Sequence, residues 1–282
     1  MTVRNEKGQT EKEFLAAYDD SRYKHPSCTV DMVLLSVIKG QLSILLIKRR
    51  NFPWINTWAL PGGFVNYDED LETAVLRELK EETNIDTSVY FHQLYTLGKA
   101  DRDPRTRVIS TAYISLIPEE NIALTKAGDD AKDARWFSIR KYTKKERDKE
   151  RLSVIELNCE DIKISYEIKE RVVKNYIQRS SRLNSKEELA ADHIKFINLA
   201  MDLLQERVAS SGLLFSLLPD EFTLKEVQQT YESIIGQKID TRNFRRSIVK
   251  MLKRTGKTKK TYNRESELYR FDPMFEHLKT DL

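Results

Sequence analysis

Three glutamates in the first third of the chain have a spacing that can hold a metal ion. Glu78, Glu81 and Glu82 stand at positions i, i+3 and i+4, so on a helix their carboxylates share one side. Carboxylates crowded in this way repel each other if they are left bare. Hard divalent cations prefer oxygen ligands, and Mg²⁺ is held by one or two carboxylates plus substrate phosphates. The spacing therefore favours a site for Mg²⁺ or Mn²⁺ over the alternative, a solvated acidic helix face.

Two glycines and an arginine accompany these glutamates. Gly62 and Gly63 follow Pro61, and such a turn frees backbone N–H groups to approach a ligand. Arg77 stands beside Glu78, where we expect it to orient the carboxylates rather than to touch a substrate. The glycine turn, the acidic helix and the adjacent arginine together indicate a site for a metal-bound phosphate.

The stretch from Gly63 to Ile85 resembles the Nudix box, G-x5-E-x7-R-E-U-x-E-E-x-G-U, in which U is a bulky aliphatic residue. The matching residues are Gly63, Glu69, Arg77, Glu78, Leu79, Glu81, Glu82 and Ile85. The chain departs from the pattern at Asn84, where the family has glycine. Asparagine is the next best residue for the left-handed position that ends such a helix, so we expect the loop–helix–loop to be intact.

The resemblance implies a Nudix fold, which is an α/β/α sandwich with a mixed sheet, and hydrolysis of a nucleoside diphosphate. The implied catalytic residues are Glu69, Arg77, Glu78, Glu81 and Glu82, of which Glu78, Glu81 and Glu82 bind the metal. A divalent cation held there would activate a water for attack on a pyrophosphate, and ADP-ribose would give AMP and ribose 5-phosphate. The general base stays open among Glu82, Glu120, Asp129 and Asp130.

An arginine-rich loop from Asp101 to Arg107 separates two apolar runs. One interpretation is a solvated turn, because Asp-Pro is a common turn initiator. The other is a cationic loop that grips phosphate or ribose, and we favour it because arginine suits bidentate phosphate contacts. The run Asp103-Pro104-Arg105 also resembles a stretch that recurs in Nudix proteins of the ADP-ribose type. The predicted substrate-binding residues are Arg49, Gly62, Gly63, Arg102, Arg105 and Arg107.

Hydrophobic periodicity and turn signals predict the elements that position these residues. The predicted strands are Val30 to Ile38, Leu42 to Lys48, Tyr90 to Leu97, Val108 to Ile117 and a last strand through Ala134 to Phe137, and the predicted helices are Glu11 to Ala17 and Leu71 to Glu82. The charge run from Arg140 to Arg151 favours a solvated helix, and Val154 to Leu157 with Ile162 to Ile168 favours an extra hairpin. An amphipathic helix from His193 to Val208 is expected to bridge two domains or to form a dimer contact. His193 itself is given no role.

Basic residues are concentrated near the end of the chain. Residues 221–282 contain 14 Lys+Arg and 9 Asp+Glu, whereas the rest of the chain has 34 and 35. Between Lys238 and Arg264 there are 11 basic residues and one acid, Asp240. Such a local excess points to an anionic polymer as partner, with nucleic acid before membrane.

Two helices and a wing are predicted within this basic region. Thr223 can cap a first helix that stops at Gly236, with Glu226 completing a capping box. A second helix is predicted from Arg242 to Leu252, with a buried row of Phe244, Ile248 and Leu252. A basic loop from Lys253 to Arg264 and a returning strand at Leu268 to Phe271 complete a winged helix-turn-helix pattern. The predicted DNA-binding residues are Arg242, Asn243, Arg245, Arg246, Lys250, Lys259, Lys260 and Arg264.

This segment resembles the winged-helix domain of the NrtR family, Nudix-related transcriptional regulators of NAD metabolism. The matching residues are Phe222-Thr223-Leu224, Val227-Gln228, Tyr231-Glu232, Gly236, Asn243-Phe244-Arg245-Arg246 and Leu268-Tyr269. The resemblance covers both domains in the same order, except for roughly residues 140 to 190, which look like an insertion. It implies that the first domain senses ADP-ribose or a related metabolite and that the winged helix binds double-stranded operator DNA as a homodimer.

Length and composition fit a globular protein of about two domains. No apolar run approaches the roughly 18 residues that span a bilayer, and the polar start is unlike a signal peptide, so no membrane partner is expected. Cys28 and Cys159 show no metal or redox spacing, which favours reduced thiols in a cytoplasmic protein. The predicted divisions are an N-terminal segment (1–25), the Nudix domain (26–150), an inserted hairpin with a bridging helix (151–216) and the winged helix-turn-helix domain (217–282).

Three functions are weighed on this sequence. The first is a DNA-binding regulator whose Nudix domain senses ADP-ribose and still has the residues to hydrolyse it. The second is an ADP-ribose or other nucleoside-diphosphate hydrolase in which the basic region has no regulatory role on DNA. The third is a structural adaptor that uses neither site, and the retained acidic box argues against it.

Overall fold

The structure is a computed structural model, and it describes residues 2–85, 90–124, 131–209, 211–261 and 264–275. The helices are α1 (Glu11–Ala16), α2 (Leu71–Thr83), α3 (His193–Arg207), α4 (Leu224–Ile235) and α5 (Thr241–Ile248). The strands are β1 (Ser27–Ile38), β2 (Gln41–Arg49), β3 (Trp58–Ala59), β4 (Gly62–Phe64), β5 (Tyr90–Leu97), β6 (Val108–Leu116), β7 (Ala131–Arg147), β8 (Glu150–Cys159), β9 (Ile162–Val173), β10 (Tyr176–Leu183), β11 (Leu252–Thr261) and β12 (Arg264–Phe271). Short 3₁₀ helices lie at Asp20–Arg22, Glu119–Leu124, Gly212–Leu217 and Val249–Met251.

One mixed sheet carries the first two thirds of the chain. Its strand order is β10-β9-β8-β7-β2-β1-β6-β5, and the short strands β3 and β4 pair with β2 and β1. β1 runs parallel to β6, and the other neighbours along this order are antiparallel. The turn between β1 and β2 has positive φ at Lys39 and Gly40, which matches the twist of a two-residue hairpin. The hairpin predicted at this place is therefore confirmed.

Helices cover both faces of the sheet. Side chains of a strand alternate between faces, so Val30 and Met32 pack with Val75 and Leu79 of α2. Val33 and Leu35 face the other way, into a core that includes Phe196 of α3. This layering is the predicted α/β/α sandwich.

The helix α2 begins after Asp70 and ends at Asn84, close to its predicted limits. Asn84 has φ 61° and ψ 18°, which is the left-handed conformation. Asparagine adopts this conformation more easily than other residues with a side chain. The expectation that Asn84 replaces the glycine of the family pattern at the helix end is confirmed.

The prediction of a helix from Arg140 to Arg151 is wrong. This stretch is the distal half of β7, a turn, and the start of β8, and it pairs with neighbours residue by residue. Lys141 is buried and pairs with Asp202 of α3, while Arg140 and Tyr142 are exposed. Arg140 to Tyr142 thus alternate as in a strand, but residues 143–150 are all exposed, so the rest of the stretch has no alternation that marks a strand. The sheet therefore continues through the predicted boundary at residue 150, and β10 adds a strand to the predicted β8–β9 hairpin.

The last part of the described chain folds as a winged helix. Thr223 and Glu226 form the predicted capping box of α4, and Gly236 ends that helix with φ 72°. The second helix, α5, is shorter than predicted, because Val249–Met251 is a 3₁₀ turn and Leu252 begins β11. Met251 therefore takes the buried position predicted for Leu252, beside the buried Phe244 and Ile248.

The wing is a hairpin rather than a basic loop. Most of the stretch from Lys253 to Arg264 lies in β11, which pairs antiparallel with β12. Leu252 pairs with Phe271, so the hairpin begins where the 3₁₀ turn after α5 ends. The prediction of a returning strand through Leu268 to Phe271 is confirmed, and the strand is longer than predicted.

The winged helix shares one hydrophobic core with the sheet. Leu204 and Val208 at the end of the α3 region belong to the same cluster as Ile234 of α4 and Phe244 of α5. The helix α3, which was predicted either to bridge two domains or to form a dimer contact, therefore packs in the core shared by the sheet and the winged helix. Both cysteines are free thiols, and within the described ranges no helix has the length and apolar character needed to cross a membrane.

Candidate functional site

A cavity of about 470 Å³ opens where β1, β4, α2 and the start of α3 meet. Most of the predicted catalytic and substrate-binding residues line it, namely Arg49, Gly62, Gly63, Arg77, Glu78, Glu81, Glu82, Arg102 and Arg105. Residues far apart in the sequence meet here because the parallel pairing of β1 with β6 brings the loop before β6 next to β4. This cavity is the candidate site.

Arg77 holds the acidic residues of the site in place. Its guanidinium donates to both carboxylate oxygens of Glu69, at 2.8 and 2.9 Å, and to Oε1 of Glu78 at 2.7 Å. It also donates to Glu81 at 3.0 Å and to the carbonyl oxygen of Phe64 at 3.1 Å. The hydrogen bonds from Arg77 lower the pKa of Glu69 to about 2. Arg77 therefore bonds three of the acidic residues at once, and Glu69 is its main ionic partner.

Glu82 is the most deeply buried acid of the box. Its Oε2 accepts a hydrogen bond of 2.6 Å from the backbone N–H of Gly62, and the residue is 8% exposed. Burial raises the pKa of Glu82 to about 8, and the neighbouring charges of Glu78 and Asp31 act in the same direction. Burial also raises the pKa of Glu78. Burial therefore disfavours the charged form of both carboxylates, and at Glu78 the hydrogen bond from Arg77 opposes this effect.

This donor set fits a hard divalent cation. Glu78 and Glu82 supply carboxylate oxygens at the cavity wall. A cation bound to both would stabilise their charged forms, which burial disfavours. Glu81 also lines the cavity, but its side chain is 58% exposed and bonded to Arg77. Among the described residues, no three His, Cys, Asp or Glu side chains already form a metal-binding cluster. Glu78 and Glu82 are thus the residues best placed to hold the ion, with Glu81 near them.

Gly62 can only be glycine at its place beside β1. A Cβ atom there would lie 2.2 Å from the carbonyl oxygen of Val30 and 2.9 Å from Cα of Asp31, and φ is +150°. At Gly63 a Cβ atom would meet Oε1 of Glu78 at 2.4 Å. The glycine pair therefore allows β4 to lie against β1 on one side and the carboxylates on the other.

Gly62→Ala is expected to lower the free energy of unfolding by on the order of 3 kcal/mol, because the added methyl group strikes backbone and φ stays strained. Urea unfolding in EDTA measures this change. Gly98→Ala is the matched control, since its Cβ atom would meet Ile109 Cγ1 at an ordinary 3.8 Å. Equal stability of the two variants would contradict the packing described for Gly62.

The predicted arginines have different environments. Arg49 donates to the carbonyl oxygen of Pro53 at 2.9 Å and lies over the Trp54 ring. Arg105 pairs with Asp103 at 2.9 Å and stacks over the exposed Phe64 ring at 5.2 Å. Each combines a cation with an aromatic ring at the cavity, a setting suited to phosphates and to flat ring systems.

Two arginines depart from their predicted role. Arg102 lines the cavity, but its buried guanidinium pairs with Asp192 at 2.8 Å, which ties the loop to the start of α3. Arg107 does not line the cavity and donates instead to the carbonyl oxygen of Gly98 at 2.6 Å. The prediction that Arg107 binds substrate therefore has no support in the geometry.

Two buried ionisable residues of the cavity, His193 and Asp31, were not predicted from the sequence. His193 is buried, and its Nδ1 accepts the backbone N–H of Leu60 at 2.9 Å. Its Nε2 lies 3.5 Å from Oδ1 of Asp31, whose other oxygen accepts from the Ser110 hydroxyl. Burial lowers the pKa of His193, which agrees with a neutral ring accepting at Nδ1. An acid within the apolar run of β1 was the available signal for Asp31, whereas nothing near His193 in sequence marked it.

The candidates for general base separate in the structure. Glu82 lines the cavity, whereas Glu120 lines a different one beside Val37 and Gly40. Glu120 is therefore not brought to the site. Asp129 and Asp130 lie outside the described residues.

The exposed face of α5 forms a second candidate site. Arg242, Asn243, Arg245 and Arg246 are exposed, while Phe244 packs against the Tyr231 ring with centroids 5.0 Å apart. Arg246 donates to Asn243 at 2.5 Å. The helix thus presents its arginines outward from a fixed base, as predicted for a recognition helix.

The basic residues around α5 are less uniform. Lys250 and Lys260 are exposed, but Lys259 pairs with Glu226 at 2.9 Å, at the start of α4. Lys257 pairs in the same way with Glu221 at 2.8 Å. The side chain of Arg264 lies outside the described part of the structure. The predicted DNA surface therefore rests mainly on α5, with the wing held against α4.

Comparison with known families identifies both domains of the chain. A NUDIX domain model matches residues 28–157, and a model of the NrtR DNA-binding winged helix domain matches residues 214–271. The chain is thus a Nudix domain joined to a winged-helix domain. The ADPR responsive transcriptional repressor NtrR of Acinetobacter baylyi is 32% identical over 266 residues, which cover 93% of this chain and 88% of that protein. The chain belongs to the NrtR family, and the resemblance noted in the sequence is confirmed.

Two further proteins resemble the chain over different lengths. The crystal structure of Shewanella oneidensis NrtR with a 27mer DNA matches with a TM-score of 0.61 at 27% identity, and covers 89% of this chain and 95% of that one. The ADP-ribose pyrophosphatase of Methanocaldococcus jannaschii is 42% identical over 130 residues, or 46% of this chain and 72% of that protein. The first resemblance spans both domains, and the second is confined to less than half of the chain.

Proposed function

We propose that this protein is a transcriptional regulator that binds ADP-ribose or a related nucleotide in the Nudix cavity and operator DNA on α5. The observation that carries the proposal is the presence of both sites in one chain with a shared hydrophobic core. Relatives support it, since the Acinetobacter protein is described as ADPR responsive and the Shewanella structure contains DNA.

The geometry of the cavity supports a nucleoside diphosphate as the ligand. Arg49 and Arg105 supply cations next to the rings of Trp54 and Phe64, which can contact phosphates, a ribose or a base. The acidic wall formed by Glu78 and Glu82 lies in the same cavity. A pyrophosphate that is bridged to these carboxylates by a divalent cation can contact the arginines with its free oxygens, so it fits both the basic and the acidic side chains of the cavity.

The second candidate function is hydrolysis of the same ligand. It is favoured by the acidic residues of the box: Arg77 bonds Glu69, Glu78 and Glu81, and Glu78, Glu81 and Glu82 line the cavity. Divalent metal held by Glu78 and Glu82 would supply Lewis-acid activation of a water. Arg77 and the N–H of Gly62 hold the carboxylates, and the arginines hold the anionic substrate. Of the two general-base candidates that the structure describes, Glu82 lines the cavity and Glu120 does not.

The mode of DNA binding follows from the fold. A recognition helix of this kind places its outward side chains in the major groove, where arginine can bond to guanine edges or phosphates. Winged helix-turn-helix proteins often bind two half-sites as dimers, so we propose that a homodimer is the DNA-binding form.

A selection experiment tests the proposal on the wild-type chain. The protein is incubated with a pool of random duplex DNA, the retained sequences are amplified, and binding is measured by gel shift at several salt concentrations. We expect sequence-selective, salt-sensitive binding whose affinity changes when ADP-ribose is added. Absence of selective DNA binding, together with release of AMP from ADP-ribose in Mg²⁺, would leave the hydrolase as the better description.

A further inference from the structure

The helix α3 contacts the nucleotide cavity at one end. Its first residue, His193, accepts the backbone N–H of Leu60 at 2.9 Å, and the preceding Asp192 pairs with Arg102 at 2.8 Å. Asp192 is the N-cap residue of α3, but its side chain makes no capping hydrogen bond and bonds to Arg102 instead. The start of this helix is therefore fixed to the cavity wall.

The residue that His193 contacts, Leu60, is two positions before Gly62, whose N–H holds the Glu82 carboxylate. Leu60 is followed by Pro61 and Gly62, and the N–H of Gly62 donates to Glu82 at 2.6 Å. Leu60 is 2% exposed and Pro61 is also buried, so this short segment has little room to move independently. A displacement of the Glu82 carboxylate therefore moves the same short segment that His193 holds at Leu60.

The other end of α3 contacts the DNA-binding domain. Nε2 of Gln205 donates to the carbonyl oxygen of Ile234 at 3.1 Å and lies 3.4 Å from the carbonyl oxygen of Lys141. Ile234 is in the last turn of α4, where helix carbonyls lack partners within the helix. Gln205 therefore bonds both the sheet and the helix that supports α5.

Between these ends α3 behaves as a single packed element. His193 and Gln205 are twelve positions apart, about 18 Å along a helix. The buried residues Phe196, Ile197, Ala200 and Leu204 fix it in the core that also contains α4 and α5. A displacement at one end is therefore transmitted to the other more easily than it is absorbed by bending.

We propose that α3 couples the two sites, with His193 as the positioning residue at the cavity and Gln205 as the contact that passes the shift to α4. The proposal rests on the proposed function, because it assigns the route by which nucleotide binding changes DNA affinity. Thermodynamic linkage makes the coupling reciprocal, so DNA changes nucleotide affinity by the same factor.

Replacement of Gln205 tests the coupling separately from the two binding sites. Gln205→Met keeps the length of the side chain and removes the donor, and Gln229→Met on the exposed side of α4 is the matched control. Affinity for a duplex selected by the wild-type protein is measured with and without ADP-ribose in Mg²⁺, because the proposed binding mode needs the cation, and the ADP-ribose left at the end of each measurement is quantified to correct for turnover. Typical coupling between two sites is about 5- to 150-fold. We expect Gln205→Met to reduce this ratio to near one, while each ligand alone binds within about threefold of wild type.

Two substitutions at the cavity end provide an independent test. His193→Asn keeps an acceptor for the Leu60 N–H, whereas His193→Leu removes it and leaves a buried donor unpaired. We expect the coupling ratio to persist in His193→Asn and to fall in His193→Leu, together with ADP-ribose affinity. If His193→Leu fails to fold, Gln205→Met still decides the question.

The outcomes distinguish this inference from the proposed function. A wild-type ratio of one overturns the proposed function, and this inference with it. A normal wild-type ratio that is unchanged in Gln205→Met overturns the inference alone. Loss of DNA binding by Gln205→Met without any nucleotide also overturns it, because Gln205 would then support the winged helix and not the coupling. The ratio of ADP-ribose affinities measured with and without DNA must equal the ratio of DNA affinities measured with and without ADP-ribose, in the wild type and in each variant, as linkage requires.

Discussion

Replacing Arg245 and Arg246 together by alanine is expected to abolish selective DNA binding and to leave ADP-ribose affinity unchanged. Both side chains are exposed on α5, whose other face is fixed by the buried Phe244 and Ile248. Each arginine that bonds a guanine edge contributes about 1–3 kcal/mol, so the double substitution should weaken binding on the order of a hundredfold or more. Gel shifts on the selected duplex measure the loss, and calorimetry with ADP-ribose measures the retained nucleotide site.

The control must separate position from charge. Arg147→Ala with Lys149→Ala removes the same two charges from exposed positions around the β7–β8 turn, far in sequence from the winged helix. We expect this control to bind the duplex within a few-fold of wild type. If the control loses as much affinity as the α5 variant, the interaction depends on general charge, and α5 is not a recognition helix. Circular dichroism of both variants confirms that the fold is kept.

Local patterns made most of this fold predictable. The Nudix-like spacing located α2 and its acidic face, and the capping box at Thr223 with Gly236 located α4. These signals are short in range, because caps and helix faces depend on residues within a turn or two of each other. The same reasoning placed Asn84 at the helix end, since the left-handed conformation restricts residue type.

Contacts between distant parts of the chain were not predictable in this way. His193 meets Leu60 across 133 positions, and Arg102 meets Asp192 across 90, with no local pattern that pairs them. The distal part of β7 was predicted as a helix because residues 143–150 are all exposed and mostly charged, and only their pairing with β8 identifies them as a strand hairpin. Arg107 resembled Arg105 in type and position, but the loop bends between them, so that Arg105 pairs with Asp103 and Arg107 donates to the carbonyl oxygen of Gly98.

Glu82→Gln is expected to remove metal-dependent hydrolysis of ADP-ribose, if the wild-type protein shows it, by about 10²–10⁴-fold. Glutamine keeps the size of the side chain and can still accept the Gly62 N–H, so the loop should keep its place. It cannot supply a negative oxygen to a divalent cation or take a proton from water. AMP release in Mg²⁺ is the measurement, and Glu72→Gln, an exposed position on the same helix, is the matched control. If the Glu82→Gln variant turned over ADP-ribose as fast as the Glu72→Gln control, the assignment of Glu82 to the metal site would be wrong.

The same substitution should also change how stability depends on pH. The folded protein holds Glu82 at a pKa of about 8, raised from the ordinary 4.5 by burial. Between these values the folded state binds a proton that the unfolded state has released, so stability falls as pH rises from about 4.5 to 8. Glu82→Gln should lack this contribution and, in EDTA at pH 8, should be more stable than wild type. Mg²⁺ should restore wild-type stability at high pH and have a smaller effect on the variant, which keeps Glu78 but has lost the Glu82 carboxylate. Urea unfolding of both proteins at pH 6 and 8, with and without Mg²⁺, measures the four conditions. Parallel pH profiles of unfolding free energy for the two proteins would show that Glu82 is already ionised without metal.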